Sequence, residues 1–267
     1  MDPPVDRFFR RLARAPRSVL ALDYDGTLAP FRARPAEAWP YPGVLETLRR
    51  LIAGGRTRLV ILSGRPAVEV RALLGLPRAP EIWGAHGWER LLPGRGVESP
   101  DPSDDVRAVL AAARPELERH HLAARAEWKT ASVAVHWRDA PDPVAAAAAA
   151  RSALAPLAAR PGFELLPIAA GLELRCRRRH KGTALAAVLA EESDEVPVAY
   201  LGDDATDEDA FAALAGRGLG LRVALDRSPT AAAATLAPGC GVLRFLRRWL
   251  RITSAGDAVV PRPGEPR

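Results

Sequence analysis

Lysine is nearly missing from this chain: of its 38 basic residues only Lys129 and Lys181 are lysines. The arginine, alanine and proline richness fits a GC-rich coding background, in which a retained lysine marks a place where a compact ammonium does what a planar guanidinium cannot. Cysteine is equally sparse. Cys176 and Cys240 lie far apart and form no CxxC pattern, which excludes a disulfide framework and a thiolate zinc site, and both are expected to be buried small apolar residues. Long apolar runs are absent too. The longest near the N-terminus, residues 18 to 22, is too short for a signal segment or a membrane span, so a cytoplasmic location with no membrane partner is expected. The formal charge is +6, but the basic residues are scattered and not interleaved with aromatics, so no nucleic-acid partner is expected.

What is present is apolar material, 48% of 267 residues, enough for one large domain or two modest ones. Short apolar runs at 19–22 and 57–62 read as buried parallel strands, and between them Val44, Leu45, Leu48, Leu51 and Ile52 follow a helical spacing that stops at Gly54-Gly55. Further strands are expected at 81–83 and 196–201. Each of these four strands runs into a polar cluster, at the end where open parallel α/β sheets bind ligands. The middle of the chain changes rhythm: a helix at 103–121 and strands at 125–130 and 132–137, then a helix at 144–159 and strands at 164–168 and 172–175. The expected fold class is therefore α/β, a Rossmann-like parallel sheet with helices on both faces and an inserted α+β cap domain. The expected boundaries are 1–96 and 174–253 for the core and 97–173 for the insertion, with a disordered, Pro- and Gly-rich tail at 254–267.

The chemistry gathers at the strand ends. Asp23 and Asp25, two apart beyond a strand, suit a hard cation such as Mg2+, and a carboxylate can attack phosphorus to give an aspartyl-phosphate. With Asp23 as nucleophile, Asp25 is placed to protonate the leaving oxygen and later to deprotonate water. Gly26 and Thr27 would offer backbone N–H groups to a phosphate at a helix N-terminus. Taken alone, the pattern is equally consistent with a turn. Ser63, Gly64 and Arg65 follow the second strand as further phosphate ligands, although Ser63 could instead cap a helix entered at Pro66. Lys181 would neutralise phosphate and nucleophile, against the alternative of a solvated surface lysine. Thr206 and Asp209 look like a capping box, which leaves Asp203 and Asp204 unexplained; a shared cation would offset the repulsion between adjacent carboxylates. Asp203 is expected on the metal directly, with Asp204 and Asp207 supporting the ion or its waters.

DYDGTL at 23–28, LSGR at 62–65, Lys181-Gly182 and GDDATDEDAF at 202–211 resemble, in order and spacing, the four motifs of haloacid dehalogenase-like phosphatases. With GAHG at 84–87, the last motif looks like that of trehalose-6-phosphate phosphatases. The resemblance implies a mobile cap and Mg2+ held by Asp23, the backbone carbonyl of Asp25 and Asp203. It also implies an E-x-K and H-x-R sugar-contacting pattern, here Glu127, Lys129, His136 and Arg138, joined by Glu173 and His86. A solvated charged sheet face is the competing reading of those residues, and core packing is expected of Trp128 and Trp137. The chain departs from the pattern in one place, with only Ala169 four residues before Glu173. The implied reaction is Mg2+-dependent hydrolysis of trehalose 6-phosphate, its partner a small sugar phosphate; a monomer is expected, separately from the resemblance. A phosphatase of another glycosyl phosphate, a phosphomutase and a non-catalytic binding domain are the alternatives.

Overall fold

The computed structural model describes residues 3–254 apart from 33 and 169. Ala169 and the tail beyond 254 thus lie outside the described residues. The chain opens with helix α1 (Pro3–Arg14), strand β1 (Ser18–Asp23), α2 (Val44–Gly54), β2 (Thr57–Leu62), α3 (Ala67–Leu74), β3 (Glu81–Gly84), β4 (Glu89–Leu91) and β5 (Val97–Glu98). Then come α4 (Asp104–Arg119), β6 (Ala126–Lys129), β7 (Ser132–His136), α5 (Pro143–Ala158), β8 (Phe163–Ile168) and β9 (Gly171–Cys176). It closes with α6 (Lys181–Ala190), β10 (Val198–Gly202), α7 (Ala205–Leu214), β11 (Leu219–Val223), β12 (Ala234–Leu236) and α8 (Cys240–Ser254). The strand expected from 196 begins at Val198, because Pro197 precedes it.

Eight strands form one sheet in the order β12-β11-β10-β1-β2-β3-β4-β5. It is parallel from β12 to β3, and β4 and β5 add antiparallel edges. All six residues of β1 are buried, as a strand covered by helices on both faces requires. Alternation divides the strands between two cores. Leu20, Leu22, Leu59 and Ile61 face α1, α2, α3 and α8, whereas Val19, Ala21, Val60 and Leu62 face α6 and α7.

The insertion is a separate antiparallel sheet, β6-β7-β9-β8, covered on one face by α4 and α5. Val133, Val135, Leu172 and Leu174 point to those helices. Ser132, Ala134 and His136 therefore point the other way, as do Glu173 and Arg175. Sheet membership differs from the expected 97–173 at both ends. Val97 and Glu98 pair with β4 in the large sheet, and β9 runs on through Cys176 in the small one.

Two side-chain expectations change. Cys176 is buried, but Cys240 is exposed at the first residue of α8, away from the buried face formed by Val242, Phe245, Leu246 and Trp249. Trp137 packs partly against the small sheet's core, but Trp128 lies at the edge, 36% exposed, with the Arg114 guanidinium 4.5 Å over its ring.

Candidate active site

Parallel pairing brings the polar clusters together at one edge. Asp23 ends β1 in register with Leu62, so Ser63 is its neighbour's next residue, and β10 on the other side runs directly into Asp203. Asp23 is buried, and its Oδ1 accepts a 2.7 Å hydrogen bond from Lys181 Nζ. Lys181 is the first residue of α6 and is itself 3% exposed, so it is not a solvated lysine. Burial would lower its pKa, but Asp207, Asp23 and Asp204 together raise it well above the usual lysine value, and the ammonium stays charged.

Asp207 is the hub beneath this pair. Its Oδ1 accepts from Lys181 Nζ at 2.8 Å and from the Tyr200 hydroxyl, and its Oδ2 accepts from the backbone N–H groups of Asp203 at 2.7 Å and Asp204 at 2.9 Å. The capping box of α7 is therefore Asp204 with Asp207, and not Thr206 with Asp209. Asp204 Oδ1 accepts from Thr206 N at 2.8 Å and from the Thr206 hydroxyl, so this carboxylate is committed to its helix.

Two carboxylate oxygens remain: Asp23 Oδ2 and Asp203 Oδ1 are buried without any hydrogen-bond donor. Oxygens of Asp23, Asp203 and Asp207 all lie within 4.8 Å of one another. Burial, reinforced by the neighbouring acids and opposed by Lys181, pushes the Asp23 carboxyl well up. The same causes, with burial first, push Asp203 up to about 7. A buried, oxygen-rich cluster with orphaned acceptors and too little positive charge is what a hard divalent cation fits. Gly26 belongs to this fit. Its φ is +80°, and a Cβ there would fall 2.0 Å from Asp203 Oδ2.

The expected phosphate ligands need revision. Residues 26–28 form a turn and not a helix N-terminus, and the Gly26 N–H is spent on Ala29 O at 2.7 Å. Thr27 Oγ1 is buried without a partner. The Ser63 N–H is also committed, to Trp83 O at 2.8 Å, but its hydroxyl accepts from Arg65 N at 3.1 Å and so keeps its own hydrogen to donate. Ser63 does not cap the next helix, whose N-cap is Pro66. Arg65 holds Asp25 with two bonds, Nε to Oδ2 at 2.6 Å and Nη2 to Oδ1 at 2.7 Å. A fork–fork pair of this kind fixes the orientation of Asp25, and it occupies the guanidinium expected on phosphate. Gly64 leaves room for the His86 ring, since a Cβ would fall 2.7 Å from Cε1.

His86 connects this edge to the insertion. Ala85, His86 and Gly87 all have positive φ (47°, 57° and 97°), a strained turn for two non-glycine residues, at a cost of about 1–3 kcal/mol each. It delivers His86 Nε2 to within 3.3 Å of Glu173 Oε2. Glu173 is buried, and Lys129 Nζ lies 3.4 Å from each of its oxygens while the Ser132 hydroxyl donates to Oε1. Burial alone would raise Glu173, but His86, Lys129 and Ser132 hold it well below the usual carboxylate range. Lys129 also lies 3.9 Å from Glu127, which bonds His136 Nε2 at 3.0 Å. That bond lowers the Glu127 carboxyl against the effect of burial. Five of the six expected sugar contacts thus form one connected set, and the Arg138 side chain reaches the large-sheet side, donating to Arg32 O at 3.2 Å.

Two contributors were not expected from the sequence, although each left a signal. Tyr200 sits in a wholly buried strand, where a phenol needs a partner for its hydroxyl, and Ser132 opens a buried strand ahead of the apolar residues 133–135. His180, without an expected role, is the N-cap of α6, where its backbone N–H donates to Thr183 Oγ1 at 3.0 Å.

A family model described as trehalose-phosphatase matches residues 21–236, from β1 through β12. The chain belongs to the trehalose-phosphatase family. A trehalose-phosphate phosphatase of Mycobacterium tuberculosis (strain H37Rv) is 36% identical over 217 residues, 75% of this chain and 51% of that protein. A bifunctional trehalose-6-phosphate synthase/phosphatase of Thermoproteus tenax is 33% identical over 213 residues, covering 78% of this chain and 28% of the relative. The chain thus spans about half the length of the mycobacterial relative and less of the bifunctional one. Among solved structures, a trehalose-6-phosphate phosphatase of Aspergillus fumigatus matches with a TM-score of 0.66 at 26% identity, covering 92% of this chain and 97% of that one. A haloacid dehalogenase-like hydrolase from Bacteroides thetaiotaomicron, at 17% identity and TM-score 0.64 over 87% of this chain and 99% of its own, shares the fold. Among the described residues no helix is long and apolar enough to cross a membrane.

Proposed function

We propose that this chain is a Mg2+-dependent phosphatase that hydrolyses trehalose 6-phosphate to trehalose and inorganic phosphate. The observation that carries the proposal is the buried Asp23–Lys181 pair at the tip of β1, with Asp23 Oδ2 and Asp203 Oδ1 left without donors beside it. Asp23, Asp203 and the backbone of Asp25 would hold the ion, which supplies charge that lets a carboxylate approach a phosphate dianion.

In the first half-reaction an Asp23 oxygen bonds to phosphorus while the bond from phosphorus to the sugar oxygen breaks, and Asp25 gives that oxygen its proton. In the second, Asp25 takes a proton from water as the water oxygen bonds to phosphorus. The Asp23–phosphorus bond then breaks, releasing phosphate and restoring both carboxyls. Lys181 holds Asp23 and offsets the charge of the incoming phosphate, and the Ser63 hydroxyl has a hydrogen to give a phosphate oxygen. Arg65 orients Asp25 between turnovers.

Residues 97–173 are proposed as the cap that chooses the sugar, and 1–96 with 174–253 as the catalytic core. Glu127, Lys129, His136, Arg138, Glu173 and His86 supply the polar groups that a glucosyl unit requires, since hydroxyls are discriminated by paired donors and acceptors. One observation favours a second reading, a phosphatase of a different sugar phosphate: both oxygens of the buried Glu173 are committed to His86, Lys129 and Ser132. A panel of sugar phosphates with Mg2+ separates the two. Rapid phosphate release from trehalose 6-phosphate and little from glucose 6-phosphate is expected; equal turnover of both would sink the disaccharide assignment.

A further inference from the structure

A cavity of about 630 Å³ lies at the opposite end of the sheet from Asp23. It is lined at the start of β2 by Thr57 and Arg58, ahead of β3 by Arg78 and Pro80, and in the β4–β5 turn by Arg95. Thr57 pairs with Ser18 and Leu62 with Asp23, so the length of β2, roughly 16 Å, separates the cavity from the catalytic edge. Its size falls within the range of small-molecule sites.

Four arginines line this cavity: Arg58, Arg78, Arg90 and Arg95. Two of them are neutralised. Arg58 bonds Glu81, Glu191 and Glu192 at 2.6–2.9 Å, and Arg90 bonds Glu81 and Glu191. This network is anchored on Glu81, which is 4% exposed and also accepts from Trp83 Nε1 at 2.9 Å. No acid is left over for Arg78 and Arg95, whose side chains make no hydrogen bond or ion pair among the described residues. With Arg17 Nη2 also 3.6 Å from Glu192, three arginines balance these three glutamates, and the cavity is lined besides by the buried Leu59 and Pro80 and by the two uncompensated arginines, Arg78 and Arg95. Guanidinium forks bind oxyanions with two parallel bonds, and two unpaired forks lining one cavity match an anion carrying at least two charges.

We propose that this cavity is a second binding site, distinct from the phosphatase centre, for a small multiply charged oxyanion of the phosphoryl or polycarboxylate class. The site stands apart from the reaction assigned to Asp23 and would survive its failure. Titration calorimetry of the full chain with pyrophosphate, and separately with citrate, tests it against two double variants. One is Arg78→Ala with Arg95→Ala; the other, Arg10→Ala with Arg14→Ala, removes the same charge from exposed positions of α1. The catalytic cluster is the same in all three proteins, so a difference between isotherms belongs to the altered arginines. Affinity is expected to fall at least about tenfold in the first variant and to hold in the second. Preference for pyrophosphate identifies a phosphoryl ligand, and equal or tighter citrate binding a polycarboxylate. Superimposable isotherms for the wild type and the Arg78/Arg95 variant, or an equal loss in the Arg10/Arg14 variant, would overturn the proposal.

Discussion

A carboxylate attacks phosphorus only when ionised, yet burial and the charges of Asp207, Asp203 and Asp204 push the Asp23 carboxyl up, and Lys181 only partly opposes them. Asp203 shares the problem, with its carboxyl pushed up to about 7. A raised acid pKa in the folded state means that stability is present below the ordinary value, about 4, and is lost as pH rises toward 7. Metal-free Asp203→Asn protein is therefore expected to melt at a higher temperature than the wild type at pH 8 and at nearly the same temperature at pH 4. Mg2+ should raise the wild-type midpoint at pH 8 and leave that of Asp203→Asn almost unmoved; scanning calorimetry at the two pH values checks both. Gly26→Ala should be worse than a turn substitution ordinarily is, because the added methyl meets Asp203 and φ is positive. A loss of at least about 1 kcal/mol together with Mg2+ response is expected in denaturant titrations. At this scale the acids at 23, 25, 203 and 204 are legible because they follow strands, and Lys181 because it is one of only two lysines and stands at the start of a helix. The commitments of Arg65 to Asp25, and of Asp207 to Tyr200 and two backbone N–H groups, are not, since they depend on contacts that spacing does not encode.

Strands buried on both faces announce themselves as continuous apolar runs, which is why β1 and β2 could be read directly. The terminal helices could not. α1 places Phe8, Phe9 and Leu12 among arginines, and α8 is similarly mixed, so each looks like a basic surface segment until the two are packed together. Trp249 of α8 is completely buried among Phe8, Phe9 and Phe245, and its Nε1 donates to Thr57 Oγ1 at 3.0 Å. Trp249→Ala should cost about 3–5 kcal/mol in denaturant unfolding, and a loss below 1 kcal/mol would refute this packing. In the insertion, Leu172 and Leu174 pack toward the helices, so alternation in β9 puts Glu173 on the opposite face. That face meets the strained turn at His86, which only the φ values reveal.

The proposed catalytic edge is built from residues far apart in sequence: Lys181 bonds Asp23 across 158 positions, and His86 reaches Glu173 across 87. Sequence order could supply the motifs, and parallel pairing explains why they converge. Glu173 links the sheets electrostatically, so Glu173→Gln should weaken sugar-phosphate selectivity more than phosphate chemistry. The expected result is a rise in KM for trehalose 6-phosphate of about tenfold, with a smaller change in turnover of a generic aryl phosphate. Equal losses on both substrates would instead tie Glu173 to the reaction centre. The most direct measurement of all concerns Asp23. Rapid acid quench of the protein with Mg2+ and phosphorus-labelled trehalose 6-phosphate should leave label on the peptide containing Asp23, and Asp23→Asn should carry none while remaining folded. Phosphate release from the wild type with no label on that peptide, or label undiminished in Asp23→Asn, would contradict an aspartyl-phosphate at Asp23.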